Sequence, residues 1–281
     1  MNPILKLLRP LNCIMGGIGV VIGALIGVGL DVFAYDHYMN VISAAVVAVF
    51  FMASGNILND YFDRDVDKIN HPDRPLPKGQ VNPEKAFNTA FSIFICIVIL
   101  AFFINFNSFI ITLIALVLMV GYELTLKNRG LVGNLTISAL VGFLFLLGGA
   151  AVNNIESILI LALLAFFATL SREIVKDIED IEGDVTRDTL PKKIGIKNAG
   201  NIAAISLIIA IFLSPLPIMP EVIPYFKIVQ FNIYYFYIVI IADIIFGLTT
   251  FNILRNPGLA QNTLKAGMFV ALIAFIVGGV L

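Results

Sequence analysis

The 281-residue sequence predicts an all-α, polytopic membrane protein of nine transmembrane helices. Three observations support this. Composition is the first: 59% of the residues are hydrophobic and 13% charged, too apolar a balance for a water-soluble domain. The second is a set of apolar windows over 11–30, 41–62, 86–105, 108–126, 132–152, 156–179, 199–219, 231–252 and 261–280. Each is close to the ~20 residues needed to cross a hydrocarbon core of ~30 Å. The third is charge. With the N-terminus cytoplasmic, this count places 17 of the 18 Lys and Arg residues on the cytoplasmic side and leaves Lys227 alone outside. Such a bias marks cytoplasmic loops, and a wrong helix count would scramble it.

Lys6 and Arg9 precede the first apolar run, and no small-residue cleavage site follows, so the run reads as a span rather than a removable signal. Glu123 trims the fourth span, and Pro215, Pro217 and Pro220 are expected to interrupt the seventh. Asp243 falls mid-way along the eighth, where a charge facing lipid costs about 2.5–3.5 kcal/mol, so it is expected to face the interior. Tyr234, Tyr235 and Tyr237 near the outer end of that span read as an interfacial belt. Cys13 and Cys96 both lie in apolar stretches and read as packing residues, so redox chemistry is not indicated. The outer connections carry Asp31, Asp36, Glu156 and Glu221. A net charge of −1 singles out no class of partner. Residues 1–281 are expected to form one integral-membrane domain with cytoplasmic cap loops at 64–85 and 181–198.

A repeated acidic pattern organises the chain. Asn59-Asp60-Tyr61-Phe62-Asp63-Arg64-Asp65-Val66-Asp67 ends the second span, and Lys176-Asp177-Ile178-Glu179-Asp180-Ile181-Glu182-Gly183-Asp184 ends the sixth. On a continuous helix Asp60, Asp63 and Asp67 fall within roughly 60° of one another, as do Asp177, Asp180 and Asp184. Asn56 and Glu173 lie one turn deeper on the same two faces, whereas Asp65, Glu179 and Glu182 point away. The patterns stand 117 residues apart, and each precedes a Leu-Pro-Lys, at Leu76-Pro77-Lys78 and Leu190-Pro191-Lys192. Two parallel four-helix units with a ninth helix added account for that offset.

Oxygen ligands without Cys or His are the donor set of a hard cation such as Mg2+, which keeps waters and bridges substrate phosphates. Two triplets at the mouths of two spans therefore suggest a phosphate-bearing substrate between them, with its apolar part in the bilayer-level interior. Arg74, Lys78, Lys127, Arg172, Lys176 and Lys192 lie on or between the loops of that face and would hold non-bridging oxygens. A prenyl diphosphate meets both halves of the description. Its ionisation needs a neutralised leaving group and an allylic cation shielded from water, and the chain supplies 23 Phe and 8 Tyr. His71 in the first cap loop reads as an ordinary loop residue.

These motifs resemble the UbiA superfamily of intramembrane prenyltransferases. Asn59, Asp60, Asp63 and Asp67 fill the superfamily's Asn-Asp-x-x-Asp-x-x-x-Asp, and Arg74-Pro75-Leu76-Pro77-Lys78-Gly79 stands where it has Arg-Pro-Leu-Pro-Ser-Gly. Asp177, Asp180 and Asp184 fill its second aspartate motif, Tyr122 to Lys127 looks like its Tyr-x-x-x-x-Lys element, and Arg9-Pro10 with Asn12 looks like its start of helix 1. The resemblance implies a UbiA-like bundle around a laterally open cavity. It also implies Mg2+ at Asp60, Asp63, Asp67, Asp177, Asp180 and Asp184, with Asn59, Tyr122, Arg74 and Lys127 at the substrate. The stretch from Ser171-Arg172-Glu173 through Thr189-Leu190-Pro191 looks most like the archaeal enzymes that alkylate geranylgeranylglyceryl phosphate to form the second ether bond of membrane lipids. Aromatic acceptors of the 4-hydroxybenzoate or homogentisate type stay open, because homogentisate enzymes share much of the second motif. A cation-coupled transporter is the alternative of another class, but it would place ionisable groups near midplane on inverted repeats. The expected partners are a prenyl diphosphate donor, a lipid-phosphate acceptor and membrane lipids, with no nucleic acid and no obligatory protein partner. The expected location is the cell membrane, with the N-terminus and active site cytoplasmic and the C-terminus outside.

Single cysteines placed at Lys78 and Lys192, in a chain lacking Cys13 and Cys96, should resist a membrane-impermeant thiol reagent in intact cells and react after lysis. Labelling of both from outside would reverse the orientation.

Overall fold

The structure is a computed structural model, and its described residues are 3–181, 188–219 and 231–280. Glu182, Asp184 and Arg187 of the second motif region, with Pro220, Glu221 and Lys227, lie outside them. In chain order the helices are α1 (Pro3–Leu8), α2 (Pro10–Val28), α3 (Tyr35–Phe62), α4 (Arg64–Asn70), α5 (Pro83–Ile104) and α6 (Phe106–Leu124). They continue with α7 (Leu131–Ala151), α8 (Leu159–Glu179), α9 (Leu190–Ile194), α10 (Ile196–Leu213), α11 (Ile233–Asn252) and α12 (Pro257–Val280). Among the described residues, nine helical stretches are long and apolar enough to cross a membrane, and all nine expected windows fall on one.

Local chemistry sets the ends. The Asn82 side chain accepts from the backbone N–H groups of Glu84 and Lys85, with Pro83 at the first helical position of α5. Asn105 and Asn232 cap α6 and α11 in the same way, so three helices start where an asparagine oxygen satisfies otherwise orphaned donors. The second span starts earlier than the apolar window because polar Asp36, His37 and Asn40 continue the helix outward. Proline interrupts the seventh window as expected: α10 ends at Leu213, and Pro215 and Pro217 belong to the turn that follows. Proline lacks the N–H that continued helix needs, so here it terminates the span without kinking it.

Each span packs against the next, and α12 closes the ring against α2 and α8. The contacts of α2, α3, α5 and α6 are repeated by α7, α8, α10 and α11, which is the parallel four-plus-four arrangement with α12 added. The two unit-leading helices, α2 and α7, cross at glycine. A Cβ on Gly23 would lie 2.3 Å from the carbonyl oxygen of Phe145, and one on Gly148 would lie 2.1 Å from that of Val20. Any side chain would force these backbones apart, so the crossing depends on their absence. It holds α7 inside the ring, against α2, α3, α6 and α8. The second helices of the units, α3 and α8, thereby bring both aspartate motifs to one end of the bundle.

Candidate active site

Neither motif lies on one unbroken helix, which corrects the single-face expectation. α3 ends at Phe62 and α8 at Glu179, and the residues after them, Asp63 (φ −87°, ψ 1°) and Asp180 (φ −86°, ψ 4°), adopt nearly the same bridge conformation. The backbone ladder still passes through the first break: Asp63 N–H donates to the Asn59 carbonyl at 2.9 Å, and Asp67 N–H donates to the Asp63 carbonyl at 2.8 Å. The break turns Asp67 onto the short α4 without losing these bonds.

Asp60, Asp63 and Asp67 are 2%, 7% and 4% exposed. Carboxylates so removed from water need counter-charges, and three other segments deliver them. Arg9, at the α1–α2 turn, bonds Asp60. Arg74, from the loop after α4, reaches Asp67 at 2.6 Å and Asp60 at 3.5 Å. Lys127, after α6, bonds Asp63 and also Glu123 at 3.0 Å. The Asn59 amide donates to both Asp63 and Glu123 at 3.1 Å. Asn59, Asp63, Lys127 and Glu123 thus form a closed ring, in which two buried carboxylates share one ammonium and one amide. Arg9 is held at φ 52°, a left-handed conformation that favours glycine. That strain accompanies a guanidinium aimed at a buried carboxylate.

The second motif stands across a cleft of about 420 Å3 that is lined by residues of both motifs. Asp177 accepts from the Asn134 amide at 2.9 Å, and Glu173 faces Arg172 at 2.6 Å and Lys176 at 3.5 Å. Among the sequence-predicted residues, Asn56, Asn59, Asp63, Asp67, Arg74, Tyr122, Glu173, Lys176, Asp177 and Asp180 border this one cleft. Lys127 and Tyr122 border a smaller recess beside it, and Asp60 borders a neighbouring polar pocket with Lys6 and His71. Asn56 also donates to the Leu8 carbonyl at 2.9 Å, which fastens α1 to α3.

Some expectations are not met. Lys78 pairs with exposed Asp73 at 2.6 Å, away from the cleft, and holds that carboxyl below its ordinary range. Lys192 is exposed on α9 and does not border the cleft. Arg172 borders an apolar cavity instead. Asp184 lies outside the described residues. Asp65 points outward, as expected, and its carboxyl is held low by a hydrogen bond from Lys68. His71, read as an ordinary loop residue, borders the cleft. Glu123, Asn134 and Arg9 join the site without having been singled out as site residues. The sequence signal for Glu123 was an acidic residue inside an apolar window, four before Lys127, which reads equally as the end of a span. Asn134 gave no signal of this kind.

Residues 18–273 match the UbiA prenyltransferase family. The chain belongs to that family. It is 36% identical to a digeranylgeranylglyceryl phosphate synthase of Methanosphaera stadtmanae over 99% of each chain, and 38% identical to that of Methanosarcina mazei over 98% of this chain and 97% of the other. A solved structure of a digeranylgeranylglyceryl phosphate synthase superposes with a TM-score of 0.85 at 34% identity, covering 99% of this chain and 98% of that one. A UbiA homologue from Archaeoglobus fulgidus, solved with GPP and Mg2+, shares the fold at a TM-score of 0.69 and 17% identity over 99% and 98% of the two chains. This UbiA chain is accordingly a multi-pass membrane prenyltransferase.

Among the described residues, no three carboxylates converge closely enough to chelate one ion by themselves, and Arg9, Arg74 and Lys127 are interleaved with them. The donor set nonetheless fits Mg2+, which is held by one or two carboxylates with waters and substrate phosphate oxygens completing the shell. In this UbiA chain the four carboxylates of the first cluster face three cations, leaving one net negative charge for an added cation.

Glu123→Leu should destabilise the fold by about 2–4 kcal/mol, because Lys127 and Asn59 each lose a buried partner. Thermal unfolding in detergent reads this. In combination with Lys127→Met the loss should be well short of additive, and strict additivity would show that the ring is not a coupled unit.

Proposed function

We propose that the chain transfers a geranylgeranyl group from geranylgeranyl diphosphate to the free hydroxyl of geranylgeranylglyceryl phosphate, with Mg2+ between the motifs. One observation supports it above the others. The acidic cleft opens directly into an apolar cavity of about 190 Å3 between α3, α6 and α7, and Gly55, Asn56, Met119 and Ile137 border both. A ligand that is polyanionic at one end and hydrocarbon at the other fits that junction, with the diphosphate among Asp63, Asp67, Asp177 and Asp180 and the chain beside Phe51, Ile111 and Leu144. The identity of 34–38% to digeranylgeranylglyceryl phosphate synthases over nearly the whole length supports the lipid-phosphate acceptor.

In the proposed reaction the allylic C1–O bond breaks with its electron pair leaving on the diphosphate. Mg2+ would supply charge neutralisation to that leaving group. Arg9, Arg74 and Lys127 already stand at the carboxylates and would turn to phosphate oxygens as the diphosphate arrives. The acceptor hydroxyl oxygen then bonds to C1, and its proton passes to a motif aspartate or to the departing diphosphate. An alcohol attacking an allylic cation needs no strong base, so a catalytic histidine is not required. The apolar cavity excludes the water that would otherwise compete. The distribution of Lys and Arg supports a cytoplasmic position for the active end of the bundle.

Purified protein should release pyrophosphate from geranylgeranyl diphosphate with geranylgeranylglyceryl phosphate as acceptor, and EDTA should abolish the activity. Presented with 4-hydroxybenzoate, homogentisate and the lipid phosphate under one donor, it should show the highest kcat/KM for the lipid phosphate. A higher value for an aromatic acceptor would replace this reading.

A further inference from the structure

A second apolar cavity, of about 300 Å3, lies on the other side of α7 and shares no bordering residue with the acidic cleft. Val141 of α7 borders both apolar cavities, so this one helix partitions the interior. The second cavity is closed mainly by α8, α11 and α12, with Leu164, Leu272 and Phe275 among its walls. Two cations also face it from inside the spans: Arg172 of α8 and Lys265 of α12. Both stand about two turns from the motif end of their helices, where Lys265 is exposed and can meet an anionic group. Lys265 bonds only the neutral amide oxygen of Gln261, at 2.9 Å, among the contacts described. Arg172 spends one nitrogen on Glu173 at 2.6 Å, and its Nε is buried without a hydrogen-bond partner. Glu173 borders the acidic cleft. The Arg172–Glu173 pair therefore marks the place where the second cavity and the cleft come within one side chain of each other.

We propose that this second cavity is the acceptor site, taking a single-chain ether lipid phosphate with its phosphate at Arg172 and Lys265 and its hydrocarbon against α8 and α12. The assignment rests on the transfer reading above. Charge and polarity both suit it: two cations stand at a wall that is otherwise nearly all hydrocarbon, with only Ser214 and Asp243 as further polar groups, and these bond each other at 2.6 Å. The reach suits it as well. The reacting hydroxyl of a glycerol phosphate is two carbons from its phosphate ester oxygen, so the phosphate must be held beside the diphosphate cleft and not far down the bundle. Two chains would then lie on opposite sides of α7, with their reacting ends meeting at its motif end.

The test measures binding of one lipid at a time, on the full chain in detergent, by native mass spectrometry: geranylgeranylglyceryl phosphate and its dephosphorylated alcohol without metal, and geranylgeranyl diphosphate with Mg2+. Lys265→Gln should weaken binding of the phosphate by about tenfold, the scale of one charge-assisted hydrogen bond, and leave the alcohol unchanged. Ala271→Leu, which fills the second cavity, should weaken both lipids, while Ala115→Leu in the first cavity should weaken geranylgeranyl diphosphate and spare the acceptor. Retained donor binding shows that the Lys265 and Ala271 variants are folded. Acceptor binding at wild-type strength in both of them, or wild-type protein that binds alcohol and phosphate equally, would overturn the assignment. Because no transfer is measured, that failure is distinct from failure of the transfer reading, which would show as absent product from wild-type enzyme.

Discussion

Burial of the first motif's carboxylates is the constraint to which the rest of the polar end answers. Three aspartates and Glu123 are packed away from solvent at the end of α3 and around it. Unpaired charges there would cost several kcal/mol each. Arg9, Arg74 and Lys127 come from three separate segments to meet them, so the α1–α2 turn, the loop after α4 and the α6–α7 connection are all anchored at one point. The strained backbone at Arg9 follows from that demand. A metal-bound diphosphate arriving in the cleft would compete for these same carboxylates and offer its own oxygens to the released cations, so the resting ion pairs pre-position the groups that the proposed chemistry requires.

Pseudo-symmetry places the second motif opposite the first without making the two alike. Both helices break at their second aspartate with nearly the same dihedral angles, a consequence of equivalent positions in parallel units. Their surroundings differ. Asp63 is enclosed by Lys127, Asn59 and Glu123, whereas Asp180 is exposed and Asp177 receives the Asn134 amide. The glycine-dependent crossing of α2 and α7 adds a further asymmetry, since it draws α7 into the ring and gives the interior two compartments where a plain bundle would have one.

The helices were legible in the sequence because spans advertise themselves by length and by the sign of the loop charges. The aspartate positions were legible because a pattern repeated at a fixed offset is hard to produce otherwise. What could not be read was pairing across the fold. Lys78 and Lys127 are both lysines next to matching motif elements, yet one turns to Asp73 in solvent and the other to Asp63 in the core. Asn134 has neighbours in sequence that say nothing of Asp177, which only the packing of α7 on α8 brings near. The break before Pro215 and Pro217 was legible, because proline lacks the N–H that a continued helix needs.

The central claim is that the two motifs jointly hold one metal-bound diphosphate. Anomalous diffraction from crystals grown with Mn2+ and a non-hydrolysable geranylgeranyl diphosphate analogue tests it most directly. The expected result is metal density in the cleft between the α3 and α8 ends, within about 2.0–2.3 Å of at least one carboxylate from each motif and of diphosphate oxygens. Metal confined to one motif, or diphosphate bound outside the cleft with Asp177 and Asp180 unengaged, would contradict it.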